Sequence, residues 1–192
     1  MAAAPAQPPL KTWTREELDA LEAAGLLADV RLELIEGEVF DKSGQNPPHA
    51  FALCRFAALL IGIFGASRVR SQLPVEPADA DAPHSLPQPD IAVTRESDSA
   101  YRTRHPRVAD LLLVAEIADS TYRFDVKRKG RLYARAGFTE YVVVDLNERE
   151  LLVFRALRTG VYTEMRVLRP GEFFHPLAAP EHAIAVAELL EE

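Results

Sequence analysis

The stretch from Ala109 to Asp145 constrains the fold more than any other part of the chain. "ADLLLVAEI" is a continuous apolar run of strand length, and "EYVVVD" is a second. Runs without polar alternation belong to strands covered on both faces. Between them, Arg123 to Ala136 reads as a helix closed by Gly137. Strand, helix and strand in series form a crossover unit with parallel strands, almost always right-handed. A sheet holding such a pair needs covering layers, which points to an α/β fold.

The flanking segments extend that sheet. "TREELDALEAAG" has a helix's own punctuation: Thr14 and Glu17 stand at capping-box spacing, and Gly25 can end it. Trp13 is expected to anchor this helix. "VRLELIEGEVF" alternates around Leu32, Leu34 and Val39, with a turn at Gly37, and reads as strand, turn, strand. His49 to Phe64 is expected to be a buried helix, with Cys54 in the core. "SRVRSQLPVE" and "PDIAV" read as strands, separated by the Pro-, Ala- and Asp-rich loop "EPADADAPHSLPQ". After Asp145, "ELLVFRAL" and "GVYTEMRVL" form a meander, and a short helix near 183–190 closes the chain. The whole is a mixed β-sheet core flanked by helices, with additional antiparallel strands. Residues 12–192 are expected to form one domain behind a flexible arm at 1–11.

Two acids stand out within this frame. Asp90 opens a strand directly after a proline, and Glu116 lies near the end of the next strong strand. If the strands are neighbours, both carboxylates can face one cleft. Two carboxylates, a backbone carbonyl and waters suit a hard divalent ion such as Mg²⁺, with Mn²⁺ also acceptable. Such an ion lowers the pKa of bound water and stabilises charge on a phosphoryl oxygen. Lys129, on the following helix, could reach the same cleft and neutralise developing charge. Each residue alone has a plainer reading, as a solvated cap, a salt-bridge partner or part of a solvated helix face. The combination favours a site, because an acid at the end of "LLLVAE" is desolvated unless paired or metal-bound.

These residues also carry a resemblance. "PD" at 89–90, "EI" at 116–117, "ST" at 120–121, Asp125, Lys129, Tyr133, "AGFTEY" at 136–141 and Asp145 resemble, in order and spacing, the Uma-type restriction endonuclease family of the PD-(D/E)XK nuclease superfamily. "LELIEGEV" is similar to that family's first motif, and His49 opens the helix expected next. The resemblance implies a restriction-endonuclease-like fold and a metal-dependent endonuclease hydrolysing nucleic-acid phosphodiesters, DNA foremost. Asp90, Glu116 and Lys129 would be the catalytic set. Asp90 and Glu116 would bind the metal, with the backbone carbonyl of Ile117. Glu33 matches a family acid that could complete the metal site; as a surface acid on an alternating strand it would do nothing of the kind, and both readings stand. Where the simplest superfamily members carry the lysine, two residues after the acid, this chain has Ala118, and Lys129 takes its place from the helix, with Lys127 a weaker candidate. Asp119 and Val142 replace a proline and a tryptophan usual in the family. An inactive nucleic-acid-binding or regulatory domain on the same fold is the alternative.

The net charge of −7 argues against nucleic-acid binding by overall charge. Local charge runs the other way: Arg102, Arg104, Lys127, Arg128 and Arg131 are candidate phosphate contacts, although basic residues also serve solubility. The single cysteine excludes an internal disulfide, which fits a cytoplasmic protein. The N-terminus lacks a signal-peptide pattern. The apolar "AFALCRFAALLIGIFG" is short for a bilayer and carries Arg55, so no membrane association is expected. No phosphate-loop glycine motif and no zinc spacing occurs. A homodimer is expected, presenting two sites to a duplex.

Overall fold

The computed structural model describes residues 9–28, 30–42 and 44–190; most of the expected N-terminal arm, residues 1–8, lies outside them. Helix α1 (Arg15–Ala23) has the capping box read from Thr14 and Glu17. Strands β1 (Leu32–Ile35) and β2 (Glu38–Asp41) form a hairpin. Its two turn residues, Glu36 and Gly37, have φ of 52° and 79°, as a type I′ turn requires. Gly37 has a second reason to be glycine, since a Cβ there would fall 2.1 Å from Thr12 Cγ2. The backbone N–H of Trp13 donates to the Gly37 carbonyl, which ties α1 to the hairpin.

The main sheet holds six strands in the order β3 (Val69–Ser71), β4 (Ile91–Thr94), β5 (Leu111–Ala118), β6 (Tyr141–Asp145), β7 (Glu150–Arg158) and β8 (Val161–Leu168). Only β5 and β6 are parallel; they are the two ends of the crossover read from the apolar runs. A small pair, β9 (Phe173–Phe174) and β10 (Ile184–Ala185), and helix α4 (Val186–Leu189) complete the chain.

Alternation along β4 and β5 divides the interior. Ile91, Val93, Leu113, Ala115 and Ile117 face one way, under α2 (Pro47–Phe64). Ala92, Val114 and Ala118 face the other, with Tyr133 and Ala136 of α3 (Gly130–Ala136). Val142, at the family's usual tryptophan position, packs under α2.

Two expectations are corrected. Helix α2 is not buried: Ala52, Leu53, Phe56 and Leu60 meet the sheet, while Cys54 is exposed and Phe51 and Ile61 are about two-fifths so. It lies against the sheet on one side, with α4 beside it, and its near-uniform apolar sequence does not say which side is covered. By length and composition alone α2 would also pass for a membrane span. The segment 123–136 is not one regular helix either. Phe124–Lys129 is a π-helical turn, in which the Gly130 N–H donates to the Asp125 carbonyl, and α3 follows it.

Candidate active site

The β4–β5 register places Ile91 opposite Ala115. One step further, Asp90 comes opposite Glu116, and both have the parity of the α3 face. Here a side chain takes over the strand ladder: the Ile117 N–H donates to Asp90 Oδ2 at 2.9 Å. Glu116 Oε1 accepts from Lys129 Nζ at 2.9 Å and from the Tyr133 hydroxyl at 2.8 Å. Lys129 also lies 3.0 Å from Glu33 Oε1 and 3.9 Å from Asp125 Oδ1. The π turn and the helical spacing of four set this up. Asp125, Lys129 and Tyr133 lie on one side of the segment, aimed at the end of β5.

All of these groups are buried. Glu33 is 2% exposed, which removes its reading as a surface acid. The 83–88 loop covers the hairpin: Leu86 N–H bonds the Leu34 carbonyl, and Gln88 N–H donates to Glu33 Oε2 at 3.2 Å. Lys129 is among the largest fully buried side chains. It is a cation enclosed by three carboxylates rather than a lysine on a helix surface.

A cleft of about 410 Å³ opens onto this cluster. Glu33, Lys42, His49, Asp90, Glu116, Ile117, Asp125 and Lys129 line it, along with residues 119–121. Sequence reasoning missed several of these. Lys42 Nζ stands 3.4 Å from Asp90 Oδ1 and 3.8 Å from Glu116 Oε2. The sequence places His49 only as the residue that opens the expected helix. Its backbone N–H is indeed held by the Asn46 side chain that caps α2, but its ring Nε2 lies 3.2 Å from Asp90 Oδ2. Hairpin arithmetic could have found Lys42: Glu33 pairs with Phe40, so Lys42, two residues on, shares Glu33's face. Asp119, the proline position, accepts from the Asn46 amide and so joins the end of β5 to α2.

The electrostatics follow from crowding. Burial opposes ionisation of Asp90, but the His49 hydrogen bond, the Lys42 charge and the Ile117 N–H outweigh it and hold its carboxyl well below the usual range. Burial pushes Glu116 up to about 7; Lys129 and Lys42 pull against this, and Asp90 and Asp125 add to it. Burial also outweighs Lys129 at Asp125, whose carboxyl is raised. Lys129 is driven the other way: burial disfavours its charge, yet Glu116, Glu33 and Asp125 overcome it and raise its pKa. The two directions conflict, since a neutral Glu116 would forfeit an ion pair that Lys129 counts on. With an ammonium at 2.9 Å and the Tyr133 hydroxyl on the same oxygen, the geometry favours the ionised carboxylate.

Four carboxylates (Glu33, Asp90, Glu116 and Asp125) face two ammonium groups, an excess of two negative charges. Among the described residues, no three His, Cys, Asp or Glu side chains gather closely enough to hold a metal by themselves. Yet Asp90 Oδ1 and Glu116 Oε2 converge on one cationic position, which Lys42 marks. The donors are hard oxygens, and Mg²⁺ in protein sites commonly takes one or two carboxylates and keeps several waters. The residues present therefore fit a divalent ion held by Asp90 and Glu116, with Ile117 also lining the cleft. Glu33 is already committed to Lys129 and to the Gln88 N–H.

A family model described as "Uma2: Putative restriction endonuclease" matches residues 15–187. The chain belongs to the Uma2 family. Among solved structures, "a putative nuclease belonging to DUF820" from Anabaena variabilis is similar, with a TM-score of 0.66 and 17% identity over 84% of this chain and 90% of that one. At that identity the likeness shows the fold, a nuclease-type mixed sheet. No curated protein matches the sequence.

The basic residues proposed from this Uma2 sequence for phosphate contact are not gathered at the cleft; none of the five lines it. Arg104 pairs with Asp110. Arg128 clamps the hairpin, with bonds to Glu36, Glu38 and the Ile35 carbonyl. Arg102, Lys127 and Arg131 are exposed on the surface.

Proposed function

We propose that the protein is a metal-dependent endonuclease that hydrolyses phosphodiester bonds in nucleic acid, with DNA as the substrate and Mg²⁺ or Mn²⁺ as the cofactor. The observation that carries this reading is the convergence of Asp90, Glu116 and Lys129 at the end of β5, at the floor of an open cleft.

In this reading Asp90 and Glu116 hold the ion, with the Ile117 carbonyl. When bound, the ion supplies a water of lowered pKa and a Lewis acid for the phosphoryl oxygen. The protein's own groups do the rest. Asp90 is kept ionised by His49, Lys42 and the Ile117 N–H, so it is a ready ligand at neutral pH. Lys129 keeps Glu116 ionised and sets a fixed positive charge beside the place where negative charge develops on phosphate. Tyr133 fixes the rotamer of Glu116 from behind. Arg102, Lys127 and Arg131 would meet the polyanion outside the cleft. A homodimer would present two clefts to a duplex.

A specific observation favours a second reading. Lys129 and Lys42 already compensate much of the carboxylate charge, as in an inactive domain that binds nucleic acid without cutting it. Cleavage assays decide between the two. Single- and double-stranded DNA and RNA are incubated with Mg²⁺, Mn²⁺ or chelator, with Glu116→Ala as control. Metal-dependent cutting that Glu116→Ala loses supports the endonuclease. No cutting of any form, together with no calorimetric metal binding, leaves the binding domain.

A further inference from the structure

The two lysines of the cleft are not equivalent. Lys129 is 1% exposed at its side chain, makes contacts of 2.9 and 3.0 Å, and is walled in by Glu116, Glu33 and Asp125. Lys42 is 15% exposed, and its contacts of 3.4 and 3.8 Å are longer than an ordinary ammonium–carboxylate hydrogen bond. Its backbone is fixed, because its N–H donates to the Arg31 carbonyl at 2.7 Å. Its side chain, just past β2 and more exposed than that of Lys129, has four methylenes with which to leave.

The oxygens Lys42 faces matter most. They are Asp90 Oδ1 and Glu116 Oε2, the atoms left over once His49 and Ile117 have taken Asp90 Oδ2, and Lys129 and Tyr133 have taken Glu116 Oε1. The Gln72 amide, at 3.4 Å, is a weak further contact to the same Asp90 oxygen. These two oxygens are the ones a metal would need.

We propose that Lys42 is a resident counter-ion of the metal site, an ammonium that neutralises Asp90 and Glu116 until a divalent cation takes their free oxygens and displaces it. This rests on the metal-dependent reading above. A divalent ion and an ammonium cannot share the same pair of oxygens: a hard ion requires them at about 2.0–2.1 Å, and the two cations repel. Lys42 therefore keeps the acid pair folded and soluble without metal and weakens metal affinity by competition. It also carries a positive charge to the cleft mouth when it is displaced. Lys129, by contrast, stays in place.

The test is calorimetric binding of Mn²⁺ and Mg²⁺ to the full chain, wild type against Lys42→Met and Lys42→Gln, with thermal melts in chelator and in saturating Mn²⁺. Removing a competing unit charge a few ångströms from the ligands should tighten Mn²⁺ binding by about 10-fold or more. Both variants should melt lower than wild type in chelator, and Mn²⁺ should raise their melting temperature by more than it raises the wild type's. Equal or weaker Mn²⁺ binding by the variants, with wild type binding, overturns the counter-ion role alone. No binding by any of the three proteins overturns the metal site and this inference together. If the variants fold only with Mn²⁺, the metal is replacing the ammonium, as proposed; if they stay unfolded even in Mn²⁺, the ammonium has a role metal cannot fill and the inference is lost.

Discussion

Glu116 and Glu140 are both almost fully buried acids beside the parallel strand pair, and they meet opposite fates. Glu140 precedes β6 and has the parity of the face under α2. One of its oxygens takes the Arg155 guanidinium, with Nε at 2.8 Å, and the other takes the Leu177 N–H at 3.0 Å. The acid is matched by one cation and one amide and lies outside the cleft. Glu116 lies on the α3 face, among three other carboxylates and two lysines, with a cleft above it. Burial raises both carboxyls, so burial does not separate them. What separates them is surplus charge with access to solvent. Glu140 reads as structure, and Glu116 as a group kept at some cost to stability.

The sharpest way to break this contrast is to exchange the consequences. Glu116→Ala should remove metal-dependent cleavage and weaken calorimetric metal binding. Glu140→Gln should keep the cleavage rate per folded molecule, and if it does not, the contrast is false. Next in size is Arg155→Ala, which leaves Glu140 buried without its cation and should cost about 3–5 kcal/mol in urea unfolding. In chelator, Glu116→Gln should lose no such stability. Lys129→Ala should still bind metal while the cleavage rate falls about 10²–10³-fold, the scale for losing one electrostatic stabiliser. Enclosed as it is by three acids, Lys129 should also be tested as Lys129→Met, so that lost folding is not mistaken for lost catalysis.

A smaller effect is set by pH. Against burial, the His49 hydrogen bond, the Lys42 charge and the Ile117 N–H hold the folded Asp90 carboxyl well below its unfolded value of 3.8. Below that value the unfolded state binds a proton that the folded state does not, so this contribution to stability is present above it and is lost as pH falls. In chelator, wild type should therefore lose stability below about pH 4 relative to Asp90→Asn, with a constant difference above that range. Urea midpoints across pH would show it. The smallest effect belongs to the hairpin clamp: Arg128→Ala breaks partly exposed ion pairs and should cost no more than about 1 kcal/mol, by the same urea measurement.

Much of this was legible in the chain. The apolar runs of β5 and β6 admit little except buried parallel strands, and the Asp90, Glu116 and Lys129 positions follow from their place at strand ends and on the intervening helix. What was not legible depends on covering. Alternation in "LELIEG" gives the hairpin but not which side is roofed, so Glu33 could not be called buried until the 83–88 loop was seen above it. Lys42 shares Glu33's face by simple counting, but nothing in the hairpin says that this face docks over the β4–β5 end. His49 carries two jobs, a backbone one at the start of α2 and a ring one at Asp90, and only the first has a local sequence signal. The apolar run of α2 hides its outer side for the converse reason: with too few polar residues, periodicity cannot point outward.

The π turn at Phe124–Lys129 makes the length of this segment part of its information content. A π turn holds one residue more than an α turn over the same hydrogen-bonded loop. Deleting Val126 or Lys127 would close this turn to an ordinary α turn and leave the residues on either side in register. Asp125 and Lys129 would then stand three apart and still share a side. The same deletion inside α3, which holds no extra residue, would turn everything beyond it by about 100° relative to what precedes it. A one-residue change in chain length is thus absorbed at the π turn and transmitted by the regular helix that follows it.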